Sequence, residues 1–253
     1  MNNHYGDSWD MYVKEVFQKM KRPDSVYPGD EWGNKGWWDI CYDRLLKRAG
    51  AAEWKHAVEI GAGSGKYTSL LFERSKSDVL AFDVSREFLT VLESRLESEM
   101  KAGRLRTCLL PCVRADEMLT QIEEAGLRGK LDGFFSIDAM VHVDLQYLAA
   151  YFVTAAICLR PGGKLVLTLA DATSHKGRRK LMDDIKLYYP KQGVPSLKFE
   201  FISPDIVKST MEELGFRIEC LENESPEFEG ARDMFLIAAK TSPDTAALEK
   251  LLR

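Results

Sequence analysis

The sequence lacks any apolar run near the ~20 residues that a membrane-spanning helix needs, and Met1 to Asp10 is polar, without the pattern of a signal peptide. No membrane partner is expected, and a cytoplasmic location is. Positive charge is not in excess: 35 Lys and Arg stand against 39 Asp and Glu, for a net charge of -4. General nucleic-acid binding leaves a basic footprint, so it is not expected either. The short run Lys176-Gly177-Arg178-Arg179-Lys180 reads as a solvated helix face. Cysteine is scarce, five residues in all and scattered. Cys108 and Cys112 make a C-x3-C pair, but no His or second pair completes a zinc set. Free thiols in a reducing compartment are the simplest reading. There is no internal repeat and no low-complexity segment. What is present, 253 residues at 45% hydrophobic and 29% charged, suits one large globular domain or a domain with a cap.

One stretch organises the rest: Val58-Glu59-Ile60-Gly61-Ala62-Gly63-Ser64-Gly65-Lys66. Ala57, Val58 and Ile60 read as a buried strand, and Tyr67 to Phe72 as an amphipathic helix. Between them stand three glycines at alternate positions. A strand, a glycine turn and a helix N-terminus form a corner where backbone N–H groups approach a ligand closely. A dinucleotide fingerprint needs G-x-G-x-x-G, but Lys66 fills its third glycine slot. The phosphate-loop pattern fails as well, since no Gly-Lys-Ser/Thr follows a four-residue gap.

From residue 56 onward the periodicity alternates. Strands are expected near 57–60, 78–82, 105–110, 133–137, 164–169, 217–222 and 234–239. Helices are expected near 67–74, 86–100, 116–125, 145–159, 176–188, 204–214 and 245–252. This predicts an α/β, doubly wound, Rossmann-like fold with a mostly parallel seven-stranded sheet, ligands binding at the carboxyl ends of the strands. Residues 1–55 read as an N-terminal helical cap and 56–253 as the main domain. The cap has a helical stripe from Trp9 to Met20, an aromatic loop from Tyr27 to Gly33, and a helix from about Trp38 to Arg48. Asp83 ends the second strand about 20 residues past the glycines, where a carboxylate can hold both ribose hydroxyls or simply face a helix N-terminus. The fourth strand stops in Asp138 with His142 close behind. Chemistry is expected at such a strand end, although a lone His also serves structural roles.

The pattern acidic-x-Gly-x-Gly-x-Gly, led by Glu59, resembles the first motif of the class I S-adenosylmethionine-dependent methyltransferases, small-molecule type. S-adenosylmethionine has no phosphate to cradle, and its ammonium suits a carboxylate such as Glu59. Asp83, the turn Leu159-Arg160-Pro161-Gly162-Gly163 and the pair His142-Val143 extend the likeness. The resemblance implies S-adenosylmethionine as cofactor, bound by Glu59, Gly61, Ala62, Gly63, Gly65, Asp83, Val84, Ala115, Asp116 and Ile137. Asp116 is placed by it at the adenine amino group, with the start of the next helix as its other reading. His142 is implied as general base, with Asp138 or Asp144 orienting it or binding the acceptor. Tyr27, Trp32, Trp37, Phe199, Phe201 and Arg232 are the acceptor-facing candidates, or else packing and surface residues. Asp138 and Asp171 match the metal-binding pair of one branch, but Ala172 stands where that branch has Asn, so no metal is expected. The expected reaction is methyl transfer to an O or N atom of a small-molecule acceptor. Alternatives are a peptide or protein methyltransferase, a non-catalytic S-adenosylmethionine-binding protein, and a nicotinamide enzyme.

Overall fold

β1 (His56–Ile60) is central in the sheet, and four of its five residues are buried. A strand covered on both faces has no polar face to alternate with, which explains its near-continuous apolar run. The computed structural model describes residues 4–20, 22–23, 25–110, 114–185, 198–222, 231–241 and 245–252. Cys112 and the end of the helix expected near 176–188 lie outside them.

The other strands are β2 (Asp78–Asp83), β3 (Leu105–Leu109), β4 (Leu131–Ser136), β5 (Leu159–Asp171), β6 (Phe201–Ile202), β7 (Phe216–Glu222) and β8 (Asp233–Lys240). The sheet order is β3-β2-β1-β4-β5-β8-β7, with β6 paired to the end of β5. All pairings are parallel except those of β8, which is antiparallel to both β5 and β7. The chain runs outward from β1 to β3, then returns to place β4 on the other side of β1. The order therefore reverses between β1 and β4, and a crevice opens at their carboxyl ends.

The helices are α1 (His4–Met11), α2 (Lys35–Cys41), α3 (Lys66–Arg74), α4 (Arg86–Arg95), α5 (Glu97–Lys101), α6 (Ala115–Glu124), α7 (Leu145–Cys158), α8 (His175–Asp184), α9 (Pro204–Glu213) and α10 (Ala246–Glu249). Ser85 caps α4 by accepting from the Phe88 N–H, and Ser203 caps α9 with Pro204 in its first turn. Two apolar cores flank the sheet. One gathers Phe82, Met118, Phe134 and Phe152; the other gathers Leu45, Leu46, Leu71 and Phe135. Each such side chain contributes about 1.5–3 kcal/mol on burial. Residues 41–51 thus share the second core with β1 and α3 and have no separate core of their own.

Several boundaries differ from the expected ones. α1 begins at His4 and continues in altered turns through Lys19. α2 begins at Lys35, because the Asn34 side chain accepts from the Trp37 N–H. The helix expected over 86–100 divides at Leu96, and β5 begins at Leu159 with an irregularity before Lys164. The eighth strand, β6, is two residues long and too short to show a period. It pairs Phe201 with Ala170 and Ile202 with Asp171, and so brings the 198–202 segment to the ligand end of the sheet.

Candidate functional site

At the end of β1 the chain turns through Gly61, Gly63 and Gly65, with φ of +67°, +55° and +83°. Only glycine enters that region three times in five residues at little cost. At Gly61 there is also no space, since a Cβ would stand 2.3 Å from the Cβ of Ala139. The Gly61 and Ala62 N–H groups donate to the Phe82 carbonyl at 2.8 and 3.2 Å, holding the turn on β2.

Asp83 closes β2 beside this turn. One carboxylate oxygen accepts from the Gly63 N–H and the other from the Ser85 N–H, both at 2.8 Å. Burial pushes its carboxyl up to about 6, against the pull of these backbone donors. Glu59 points elsewhere. It is 2% exposed, bonded at 2.5 Å to the Thr68 hydroxyl under α3, and pushed up to about 8 by burial. It does not line the cavity, so the expected contact of Glu59 with a ligand amine is corrected to a bond that ties β1 to α3.

The turn and Asp83 face a cleft of about 910 Å³, its mouth included. Gly61, Ala62, Gly63, Asp83, Val84 and Ile137 line it, as expected from the sequence. Gly65 shapes the turn from behind, where a Cβ would meet Leu92 at 3.1 Å. Ala115 and Asp116 are not among its walls. Asp116 lies in the first turn of α6, paired with Arg114 two residues earlier, whose hydrogen bond holds its carboxyl below the usual range. The adenine contact expected of Asp116 therefore has no support here, and it is not the helix cap either.

A second cavity, about 1450 Å³ with its mouth, adjoins the first. Its walls include Trp9, Tyr12, Trp32, Trp37, Phe199, Phe235, Thr168, Arg232 and Asp233. Both cavities are lined by Trp9, Trp32, Tyr67, Ile137, Asp138 and His142. Of the acceptor-facing candidates, Trp32, Trp37, Phe199 and Arg232 come together here. Tyr27 does not: its ring lies under the Arg95 guanidinium at 4.5 Å. Phe201 packs behind Phe199, against the Val141 and Ala170 cluster.

His142 stands at the shared wall. Its Nδ1 is 2.7 Å from the Lys198 carbonyl, which can only accept, so Nδ1 carries the proton and Nε2 keeps a lone pair. Burial lowers its pKa to about 4. Its ring meets Trp9 edge-on at 5.4 Å and Phe199 at 4.7 Å. The orienting group is thus a main-chain carbonyl, neither Asp138 nor Asp144. Asp144 instead accepts from the Tyr5 hydroxyl at 2.5 Å. The Glu200 N–H donates to the Val141 carbonyl at 2.8 Å, fixing this segment beside His142.

Asp138 has a φ of +65°, the one non-glycine residue in the left-handed region among the described residues. That conformation costs on the order of 1 kcal/mol. Its N–H donates to the Thr168 hydroxyl at 2.7 Å, and its carboxylate lies 3.7 Å from Arg232. Burial raises its carboxyl, opposed by the positive charges of Lys66 and Arg232. Arg232 also holds Asp233 and stacks on Phe199 at 4.1 Å. Asp171 accepts from the Thr173 N–H and hydroxyl, both at 2.7 Å. Among the described residues no three His, Cys, Asp or Glu side chains group as a metal site.

The sequence reading missed Trp9, Lys66, Tyr67, Thr168 and Asp233 as site residues. Trp9 was visible only as part of a helical stripe, and Lys66 only as the residue that breaks the dinucleotide pattern. The other three carried no distinguishing signal.

A family model described as a methyltransferase domain matches residues 58–167. An O-methyltransferase of Pyrenophora dematioidea is 26% identical over 179 residues, 70% of this chain and 60% of that protein. The O-methyltransferase cnsE of Penicillium expansum is 28% identical over 133 residues, 51% of this chain and 44% of that one. The chain therefore spans about 60% and 44% of the lengths of these two relatives. Among solved structures, the magnesium protoporphyrin IX methyltransferase of Synechocystis with bound SAH matches with a TM-score of 0.61 at 15% identity, over 92% of this chain and 97% of that one. A phosphoethanolamine N-methyltransferase of Haemonchus contortus matches with a TM-score of 0.59 at 17% identity, over 81% and 53%. These two structural likenesses are likenesses of fold.

Proposed function

We propose, from the premise that this chain has the class I S-adenosylmethionine-dependent methyltransferase fold and carries its methyltransferase domain at residues 58–167, that it methylates an oxygen or nitrogen atom of a small-molecule acceptor. Oxygen is favoured by the two O-methyltransferase relatives. One observation carries the reading: the glycine-turn cleft and the aromatic cavity share a wall at His142 and Asp138. Donor and acceptor in these two spaces would meet beside a histidine whose Nε2 lone pair is available.

The residues present fit the donor. Asp83 is a buried carboxylate at the cleft wall, already held by two backbone N–H groups, and its remaining lone pairs suit a ribose diol. Gly61, Ala62 and Gly63 present backbone without side-chain bulk, and Val84 and Ile137 supply apolar walls. S-adenosylmethionine, when bound, supplies a methyl group already activated by its sulfonium. The protein's work is then alignment and handling of the acceptor proton. His142 takes that proton at Nε2, while its Nδ1–H stays on the Lys198 carbonyl. Asp138 and Arg232 orient a polar group of the acceptor. The part of the N-terminal cap that carries Trp9 and Trp32 acts as a lid.

The aromatic walls favour a compact organic acceptor over a peptide, which would need an open groove. Calorimetry with S-adenosylmethionine and with NAD(P), followed by mass spectrometry of acceptor panels, tests the reading. Saturation by NAD(P) without any response to S-adenosylmethionine would overturn it. Tight binding with no product from any acceptor would favour a non-catalytic binder.

A further inference from the structure

The aromatic cavity is uneven in its polarity. Asp138, Thr168, Arg232 and Asp233, all among its walls, gather where β4 and β5 end and β8 begins. The Asp138 N–H donates to the Thr168 hydroxyl at 2.7 Å. Arg232 holds Asp233 through two nitrogens and stands 3.7 Å from the Asp138 carboxylate. From His142 a row of rings leads away from this polar end. His142 meets Trp9 at 5.4 Å, Trp9 meets Trp32 at 5.7 Å, and Trp32 meets Tyr12 at 4.9 Å. The row reaches the surface: Trp32 is 40% exposed, and Met11 and Val16, walls of the same cavity, are 38% and 43% exposed. Single exposed apolar residues are ordinary, but three around one cavity make an apolar mouth.

We propose that the acceptor is a neutral aromatic alcohol of several rings, its hydroxyl at His142 and its apolar body along the ring row to the mouth at Met11 and Val16; this rests on the acceptor reading above. Size is the first argument. The cavity holds about 1450 Å³ with its mouth, above the roughly 300–1,000 Å³ of sites that enclose drug-sized ligands. A single-ring acceptor would leave most of it to water. Shape is the second, because ring faces and edges reward a flat aromatic partner over an alkyl chain. Charge is the third. Arg232 is the one cation among the described walls besides the neutral His142, and Asp233 and Asp138 already answer it. An anionic acceptor finds no free cation there and pays for its desolvation. A neutral hydroxyl carries no such penalty and can donate to the His142 Nε2.

The experiment measures binding by calorimetry to protein saturated with S-adenosylhomocysteine, which fills the donor cleft. Phenol, 2-naphthol and 2-phenanthrol form a series of one, two and three rings. Each added ring should lower Kd by about tenfold. At two rings, 3-hydroxy-2-naphthoate and 2-naphthylmethylamine should each bind about tenfold or more weaker than 2-naphthol. In the double variant Met11→Ser, Val16→Ser, the gain from the third ring should largely vanish. A gain from the second ring that persists in that variant shows that it is folded. A flat series, tighter binding of either charged probe, or an unchanged third-ring gain in the variant would overturn the acceptor class and leave the methyltransferase reading standing. So would binding of none of these probes by protein that takes up S-adenosylhomocysteine. A protein that binds no S-adenosylhomocysteine would remove both.

Discussion

The Nδ1 of His142 donates to the main-chain carbonyl of Lys198, 2.7 Å away and 56 residues later in the chain. A carbonyl cannot donate in return, so this contact fixes the tautomer and leaves Nε2 as a proton acceptor. His142→Ala should lower turnover about 10²- to 10⁴-fold while S-adenosylmethionine affinity stays near wild type. Because burial lowers the imidazole to about 4, turnover at saturating donor should show no acid limb near the ordinary histidine value. A limb at about 6.5 in kcat would contradict the placement of this ring.

Asp83 gives a binding prediction with its own pH dependence. Asp83→Ala should weaken S-adenosylmethionine binding about 10- to 100-fold by calorimetry, since both diol hydrogen bonds go. The free protein's carboxyl sits at about 6. Affinity should therefore decline as pH falls through that value, where the acceptor oxygens become protonated. A flat wild-type profile across this range would remove Asp83 from the binding role.

Glu59 gives a stability prediction. Its folded-state carboxyl is raised to about 8 from an ordinary 4.5, chiefly by burial. The sign follows from linkage: the stabilising contribution is full below about 4.5 and is lost as pH rises through about 8. Wild type should thus lose melting temperature between about pH 6 and pH 9. Glu59→Gln, which keeps a hydrogen-bonding partner for Thr68 but cannot ionise, should lose less over the same interval. Parallel melting curves for the two proteins would show that this group does not titrate as stated.

At Gly61 the prediction is steric. An added Cβ would meet Ala139 at 2.3 Å in a backbone with φ of +67°. Gly61→Ala should cost about 1–3 kcal/mol by denaturant unfolding and weaken donor binding as well. A bulky side chain at Gly63, where the nearest atom to a Cβ is 3.8 Å away on Phe88, should act mainly on binding, with a smaller effect on stability.

Trp9 and Arg232 report on the acceptor side. Trp9→Ala removes an aromatic wall shared by both cavities, and Arg232→Met removes the guanidinium over Phe199. Both changes should raise the acceptor KM by about tenfold or more, a typical effect of losing a buried aromatic or charged contact. The effect on donor affinity should be small for Arg232→Met, because that residue lines only the second cavity.

Much of this architecture was legible in the chain itself. The alternation of short apolar runs with amphipathic segments located all seven long strands, since a buried parallel strand must be apolar on both faces. The glycine spacing separated this turn from dinucleotide and phosphate loops, because each position demands a left-handed backbone or close packing. Asp83 was legible for a similar reason: its separation from the glycines follows from one helix and one strand of ordinary length. The pairing of Asp116 with Arg114, two residues away, was not legible, because no pattern announces such a contact.

By itself, then, the sequence determined the kind of sheet, the corner between β1 and α3, and the carboxylate at the end of β2, all of them consequences of local periodicity and backbone conformation. Only the tertiary structure decided that Glu59 is closed off against Thr68 while Lys66 is buried with its ammonium over the Trp38 and Tyr67 rings. Both residues lie near the same turn, and only packing against neighbouring elements settles what each side chain touches. The tertiary structure also brought Trp9, Phe199 and Arg232 to His142, from segments far apart in the chain. Such an assembly depends on strand order and on the two-residue pairing of β6 with β5, which no local pattern encodes.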